Sequence, residues 1–277
     1  MKIPVVSIIL PVYNGADRLK ETVASVISQS YAGWEMLVID DGSADNTNEA
    51  VGDFVKKDSR VKYIRNEVNL GIQKTLNKGL REAKGEYIAR IDDDDIWIDK
   101  DKLKRQVEFL EDNKDYVLLG TGAVILDEEG KELTRFLMPK KDSEIRSKIL
   151  GQNCFLHSSV MFRKSFAFRV GGYNETVNTL HIEDYDLWLK LGTVGQFANL
   201  DIYSVSLAQR RSTISNRHRI AQARKSIFEV LRFKNKYPNF FRGFLVSIIR
   251  GCFFVVQKII SLDGVFVYKI KRIYKNF

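Results

Sequence analysis

The sequence is poor in the features that would tie it to a secreted, metal-knuckle or membrane-spanning class. Two cysteines in 277 residues, Cys154 and Cys252, stand far apart, which gives neither a disulfide framework nor a metal-type spacing and suits a reducing compartment. The opening Met1-Lys2-Ile3-Pro4-Val5 runs straight into a strand-like segment without signal-peptide anatomy, so the globular part is expected to be cytoplasmic. Gly120-Thr121-Gly122 opens no helix and is no dinucleotide fingerprint, and no Gly-x-x-x-x-Gly-Lys-Ser/Thr phosphate loop occurs. No uncharged apolar run reaches the ~20 residues that span a bilayer. Internal repeats and low-complexity segments are missing too.

What is present is an ordinary globular composition, 44% hydrophobic and 29% charged. The length suffices for one large α/β domain with an appendage. The net charge of +9 is unevenly spread: Leu207 to Phe277 holds 16 Lys+Arg against 2 Asp+Glu, and the remainder 28 against 33. The basic excess therefore belongs to the last quarter and points to an anionic surface, membrane lipid or nucleic acid.

Val5 to Leu10 is a nearly continuous apolar run, the pattern of a strand buried on both faces. The turn Pro11-Val12-Tyr13-Asn14-Gly15 follows it, then a helix from Asp17, a plausible N-cap, to Ser30. Trp34 to Ile39 is a second strand, ending in Asp40-Asp41-Gly42-Ser43, and its helix is capped by Ser43 or Asp45. Val61 to Arg65, a helix over Ile72 to Ala83, and a strand over Glu86 to Ile91 complete a βαβαβαβ alternation. That alternation predicts an open, doubly wound, mostly parallel α/β sheet, with ligands outside the carboxyl ends of its strands. Tyr13-Asn14, Asp40-Asp41 and Asp92 to Asp95 all fall on that rim. Beyond it the sequence predicts a helix over Asp99 to Asn113, a hairpin from Tyr116 to Leu137, a short helix over Asp142 to Leu150, a strand over Phe155 to Phe162, and a helix opening near Glu183.

Tyr87-Ile88-Ala89-Arg90-Ile91-Asp92-Asp93-Asp94-Asp95-Ile96-Trp97 is the stretch around which the rest is organised. Four adjacent carboxylates raise one another's pKa unless a cation shares the site, and Mg²⁺ or Mn²⁺ sits between carboxylates and a substrate's phosphates. An acidic turn after a strand is the plainer alternative. For Glu183 and Asp184 the plainer alternative is compensation of the helix macrodipole.

Taken together, Ser7 to Asn14, Val38 to Ser43, Gly85 to Asp95, Gly171-Gly172-Tyr173-Asn174 and Glu183 to Trp188 resemble a family-2 inverting glycosyltransferase with a GT-A fold, over roughly Val5 to Ser215. The resemblance implies transfer of a sugar from a nucleotide-sugar, most often a UDP-sugar, to an acceptor hydroxyl on a glycan or lipid-linked substrate of polysaccharide biosynthesis. By position it implies Pro11, Tyr13 and Asn14 beside the nucleobase and Asp41 on uracil. Asp92-x-Asp94 matches the family's Asp-x-Asp signature, with Asp94 and Asp92 as ligands of Mg²⁺ or Mn²⁺ and Asp92 or Asp93 near the ribose. Asp184 matches the general base, with Glu183 its neighbour.

Two departures stand out. Relatives often carry an arginine in the third helix, where this chain offers Lys74. Many also have a late histidine near the metal or diphosphate, where this chain has Gln209-Arg210-Arg211-Ser212; Arg210 could meet phosphates, or be surface charge. His157 either faces a sugar or is structural. The resemblance divides the chain into a nucleotide-sugar half, residues 1–99, an acceptor half, 100–215, and a basic tail, 216–277. In the tail a basic helix from Ser215 to Lys236 precedes apolar segments interrupted by Arg242, Arg250 and Lys258. That suits a monotopic association with the cytoplasmic face of the plasma membrane; oligomer contact or packing on the body are the other readings. Nucleic acid finds no recognition motif. A sugar-1-phosphate nucleotidyltransferase, or a scaffold subunit that keeps the fold, are the alternative functions.

Overall fold

The computed structural model describes residues 5–127, 129–208 and 218–260. Strands β1 (Val6–Val12), β2 (Trp34–Asp40), β3 (Val61–Arg65) and β4 (Tyr87–Arg90) alternate with helices α1 (Leu19–Ile27), α2 (Thr47–Lys57) and α3 (Ile72–Glu82). Their ladders are parallel, in the order β3-β2-β1-β4. Each strand divides its apolar residues between two faces. Ile8, Leu10, Met36 and Val38 pack with Leu19, Val23 and Val26 of α1, while Ile9, Leu37 and Ile39 pack with Leu76 and Leu80 of α3. Each of these fully buried side chains contributes about 1.5–3 kcal/mol relative to exposure.

The second half extends the same sheet with mixed pairing. β5 (Asp95–Trp97), α4 (Lys102–Asp112), β6 (Tyr116–Leu126), β7 (Glu132–Phe136), α5 (Asp142–Lys148), β8 (Met161–Arg163), α6 (Lys164–Arg169), α7 (Glu183–Leu191) and β9 (Gln196–Ala208) follow. The sheet continues β4-β8-β6-β9-β5, with β7 on β6. β8 runs antiparallel to β4 and β6, β5 antiparallel to β9, and β9 parallel to β6. The expected hairpin is β6–β7. Among the described residues two helices follow, α8 (Arg219–Arg232) and α9 (Phe240–Ile260). α9 lies close on residues 150 and 151: a Cβ on Gly243 would come within 2.7 Å of Leu150 Cβ.

Three local expectations need correction. Phe155 to Phe162 is not one strand; a 3₁₀ turn over His157–Ser159 precedes the three-residue β8. The apolar run there reflects burial of Phe155, Val160 and Phe162 in the core, not extended pairing. Asp17 does not cap α1. Arg18 holds the cap position without a side-chain bond, because the Gly15 carbonyl already accepts the N–H groups of Arg18 and Leu19. Neither Ser43 nor Asp45 holds the cap position of α2, which is Asn46 without a side-chain bond; Asp45, one residue earlier, accepts the N–H of Thr47 (3.1 Å).

Candidate functional site

Because β1, β2 and β4 are parallel, their carboxyl ends bring Tyr13-Asn14, Asp41 and Asp92 to Asp95 to one rim. Pro11 lies buried inside β1, opposite Ile39. Tyr13 is half exposed. Asn14 takes a left-handed backbone (φ 51°), its N–H donating to Ser43 Oγ (2.9 Å) and its amide oxygen accepting from Ala44 N (2.9 Å). Non-glycine residues adopt that region rarely and mostly where tertiary structure over-determines them. Asp41 is buried and accepts three bonds, from Asn66 Nδ2 (2.8 Å), Leu70 N (2.9 Å) and Gly71 N (2.9 Å). It therefore ties the end of β2 to the start of α3. Lys74 is exposed on α3 and forms no hydrogen bond or ion pair with the site among the described residues. Arg210 lies outside the described residues.

The acidic run makes a tight turn between β4 and β5. Thr22 Oγ1 anchors it by donating to the carbonyls of Asp93 and Asp95. Ser158 Oγ accepts the Asp92 N–H (2.9 Å) and lies against the carboxylates of Asp92 and Asp95. Arg18 pairs with Asp93 (2.7 Å). Burial nonetheless pushes the Asp93 carboxyl up to about 6 against the pull of Arg18, with Asp94 and Asp92 adding to the rise. Burial, then Asp92 and Asp94, raise Asp95 well above the ordinary range.

Arg90, the last residue of β4, is 2% exposed and meets Asp92 Oδ1 at 2.6 Å. A fully desolvated guanidinium persists only beside negative charge, and Arg90 interacts with four carboxylates, those of Asp92, Asp95, Glu183 and Asp184. It lowers Asp184 and Glu183 from across the cleft, and burial, followed by Arg90, drives His157 well below the usual imidazole value. Glu183 and Asp184 form the first turn of α7, behind His181, whose own backbone is left-handed (φ 70°). Burial and Asp184 push Glu183 up to about 7, and its Oε2 is buried without a hydrogen-bond partner among the described residues. Asp184 is raised by burial, opposed by the Tyr185 N–H, by Asn153 Nδ2 (2.8 Å) and by Arg90, with Asp92 adding to the rise. Asp92 and Asp184 thus share one electrostatic neighbourhood although 92 and 184 lie far apart in the chain. His157 Nε2 sits 3.0 Å from the Tyr173 hydroxyl and packs against Trp188.

Arg90, Asn153, Ser158 and Tyr173 complete this arrangement and were not selected from sequence as site residues. Two of them carry a sequence signal: Arg90 is a charge inside an otherwise apolar strand, and Tyr173 lies in the Gly171-Gly172-Tyr173-Asn174 segment.

As a cation site the rim offers hard oxygen donors and few of them. Among the described residues no group of three or more potential ligands converges. Arg90 holds Asp92 and Arg18 holds Asp93. This fits an ion of the Mg²⁺ kind, which takes one or two carboxylates and fills its shell from phosphates and water.

The glycosyl transferase family 2 model matches residues 7–172. EpsE of Bacillus subtilis, named only provisionally as a glycosyltransferase, is 37% identical over 188 residues, 68% of this chain and 66% of its own length. The UDP-Glc:alpha-D-GlcNAc-diphosphoundecaprenol beta-1,3-glucosyltransferase WfgD of Escherichia coli is 35% identical over 193 residues, 67% of this chain and 69% of its own. A solved mannosyltransferase of Pyrobaculum calidifontis, in complex with GDP-Man and Mn²⁺, superposes with a TM-score of 0.64 at 21% identity, over 89% of this chain and 69% of that one. That likeness places the chain in the GT-A fold.

Proposed function

The chain belongs to glycosyl transferase family 2, and from that premise we propose an inverting transfer of a sugar from a UDP-sugar to a hydroxyl of a glycan or lipid-linked acceptor in polysaccharide biosynthesis. Family membership does not favour the nucleotidyltransferase or scaffold alternatives. One observation supports the reading: Arg90 and Asp92 at the end of β4, which pair with each other, lie near enough to Asp184 in the first turn of α7 to act on its ionisation. The relative WfgD lends support to the donor and acceptor classes, since its name specifies UDP-Glc and a diphosphoundecaprenol-linked sugar.

In this reading Pro11, Tyr13 and Asn14 bound the nucleobase, Asp41 meets it, and Asp93 lies toward the ribose. Asp94, with Asp92, would hold Mg²⁺ or Mn²⁺. Such an ion, when bound, supplies Lewis-acid compensation for charge on the departing diphosphate. Asp184 takes the proton of the acceptor hydroxyl, whose oxygen bonds to the anomeric carbon as the carbon–diphosphate bond breaks. Asn153 orients that carboxylate, and Arg90 favours its charged form. Residues 1–99 form the donor side, 100–215 the acceptor side, and 216–277 the surface that meets the cytoplasmic face of a membrane.

The test has two parts. Nucleotide sugars screened by thermal shift with Mn²⁺ are expected to raise the melting temperature, as ligands of the native state do. With the selected donor, Asp184→Asn is expected to lower transfer by about 10²–10⁴-fold, while the exposed Asp53→Asn control keeps it. Transfer retained in Asp184→Asn removes the base assignment; no shift with any UDP-, GDP- or dTDP-sugar removes the donor assignment.

A further inference from the structure

Beside Asp184, and away from the acidic rim, is a cavity of about 280 Å³, near the small end of the ~300–1,000 Å³ typical of ligand pockets. It opens between the start of α7, α8 and α9. Asn153, His181, Asp184, Arg219, Gln222 and Arg250 supply its polar lining. The family match ends at 172, so α8 and α9, which contribute both arginines, lie outside the matched region. They come instead from the part of the chain that carries the basic excess.

The charges are arranged for an anion. Asp184 is the one carboxylate of the described lining, and Asn153 already holds one of its oxygens. Against it stand two guanidinium groups. Arg250 donates to the Gly151 carbonyl (3.1 Å), and no carboxylate among the described residues lies within ion-pair distance of it. Burial lowers its pKa, with only Tyr185 acting the other way. A desolvated guanidinium with a carbonyl as partner gains much more from a phosphate, which it meets through paired charge-assisted bonds. The cavity is also braced. The His181 ring stacks on His218 with centroids 4.2 Å apart, and the His181 carbonyl accepts from Gln222 Nε2 (2.9 Å). A left-handed histidine held from both sides keeps its shape before a ligand arrives, as strained residues at binding sites commonly do.

We propose that this cavity receives a phosphate or diphosphate carried by the acceptor, with Arg250 and Arg219 as its cationic partners, so that the acceptor is a sugar phosphate whose free hydroxyl reaches Asp184. The inference rests on the glycosyltransferase reading above and narrows its acceptor to an anionic one.

The experiment uses the full chain with Mg²⁺ and a saturating amount of the nucleoside diphosphate selected by the thermal screen. Glucose 1-phosphate and N-acetylglucosamine 1-phosphate are titrated and followed by ³¹P NMR. Their methyl glycosides and inorganic phosphate are titrated in parallel by calorimetry. At least one sugar phosphate is expected to bind about tenfold or more tighter than its methyl glycoside and than inorganic phosphate. Arg250→Met is expected to remove about tenfold of that affinity while changing the nucleoside diphosphate Kd by less than about twofold. Equal binding of glycoside and phosphate overturns the proposal, as does no binding of either sugar phosphate. Inorganic phosphate binding as tightly as the sugar phosphate reduces the cavity to a bare anion site. Parallel loss of nucleoside diphosphate affinity assigns the arginines to the donor. Should Arg250→Met unfold the protein, Arg250→Lys and Arg219→Met are measured the same way. Absence of any nucleoside diphosphate binding removes the donor assignment, a result separate from these.

Discussion

Arg90 is the residue on which the charge balance of the cleft turns. It is buried, paired with Asp92, and lowers the pKa of Glu183 and Asp184. Removing one partner of such a pair leaves an uncompensated buried charge and costs about 3–5 kcal/mol. Arg90→Met is therefore expected to lower the urea midpoint by a corresponding amount, and to move the acid limb of the kcat/KM profile upward because its lowering effect on Asp184 is lost. A stability loss with an unmoved acid limb would show that Arg90 only supports the fold. Glu183 gives a prediction of opposite sign. Its carboxyl titrates at about 7, above its ordinary value, because burial and Asp184 disfavour the charge. The folded state then holds this proton more tightly than the unfolded chain, so stability from this group is present at low pH and lost as pH rises through about 7. Glu183→Gln is expected to raise the melting temperature at pH values above that point and to leave it nearly unchanged below the ordinary carboxylate range. A gain that is equal at both pH extremes would contradict this.

At the scale of elements, the donor rim depends on how closely the loop after β2 approaches the loop before α3. Gly42 has φ 75°, and a Cβ there would lie 2.7 Å from the Val68 carbonyl carbon and 2.8 Å from Asn69 N. Both are backbone atoms, so no side chain can swing aside. Gly42→Ala is expected to cost more than about 1 kcal/mol, from the φ alone, with the clash added. It should also weaken nucleotide binding, since the shift pulls Asp41 off Leu70 and Gly71. Urea denaturation and a nucleotide titration on the same sample check both effects. The elements that sequence makes legible are those whose signals are local. β1, β2 and β4 announce themselves by apolar runs ending in turn residues, and Glu183-Asp184 by their place in the first turn of a helix with an apolar face. β9 does not: Gln196 to Ala208 mixes Asn199, Asp201, Ser204 and Ser206 with apolar residues, because its stability comes from pairing with β6 and β5, remote in sequence. The turn at His157–Ser159 was hidden for a related reason, since burial in the core made its neighbours look like strand. Asp92 and Asp184 are legible as carboxylates, but Arg90 between them becomes a site residue only through tertiary packing.

At the scale of the molecule, exposed apolar surface gathers on α9, inside the last quarter of the chain that carries the basic excess. Among the described residues no helix is long and apolar enough to cross a membrane. Phe241 (84% exposed), Leu245 and Ile249 recur at four-residue intervals along the helix, a spacing that stacks side chains on one face. The opposite side is occupied: Gly243 approaches Leu150, Ser247 bonds the Leu150 carbonyl (3.2 Å), and Arg250 reaches Gly151. An apolar stripe beside basic residues is the surface that settles into the interface of an anionic bilayer. The protein is therefore expected to float with vesicles containing phosphatidylglycerol and to float less with pure phosphatidylcholine. Binding should fall as salt rises from about 0.05 M to about 0.5 M, because the attraction between surface charges is screened beyond a few ångströms at the higher strength. Salt should not abolish it. Replacing Phe241, Leu245 and Ile249 together by serine removes side chains each worth about 1.5–3 kcal/mol on full burial, so even partial immersion predicts a loss of more than about tenfold. Equal flotation of the triple variant would place the contact elsewhere in the tail. Flotation indifferent to lipid charge would separate the apolar stripe from the basic excess, leaving the +14 of the last quarter to act on an anionic acceptor alone.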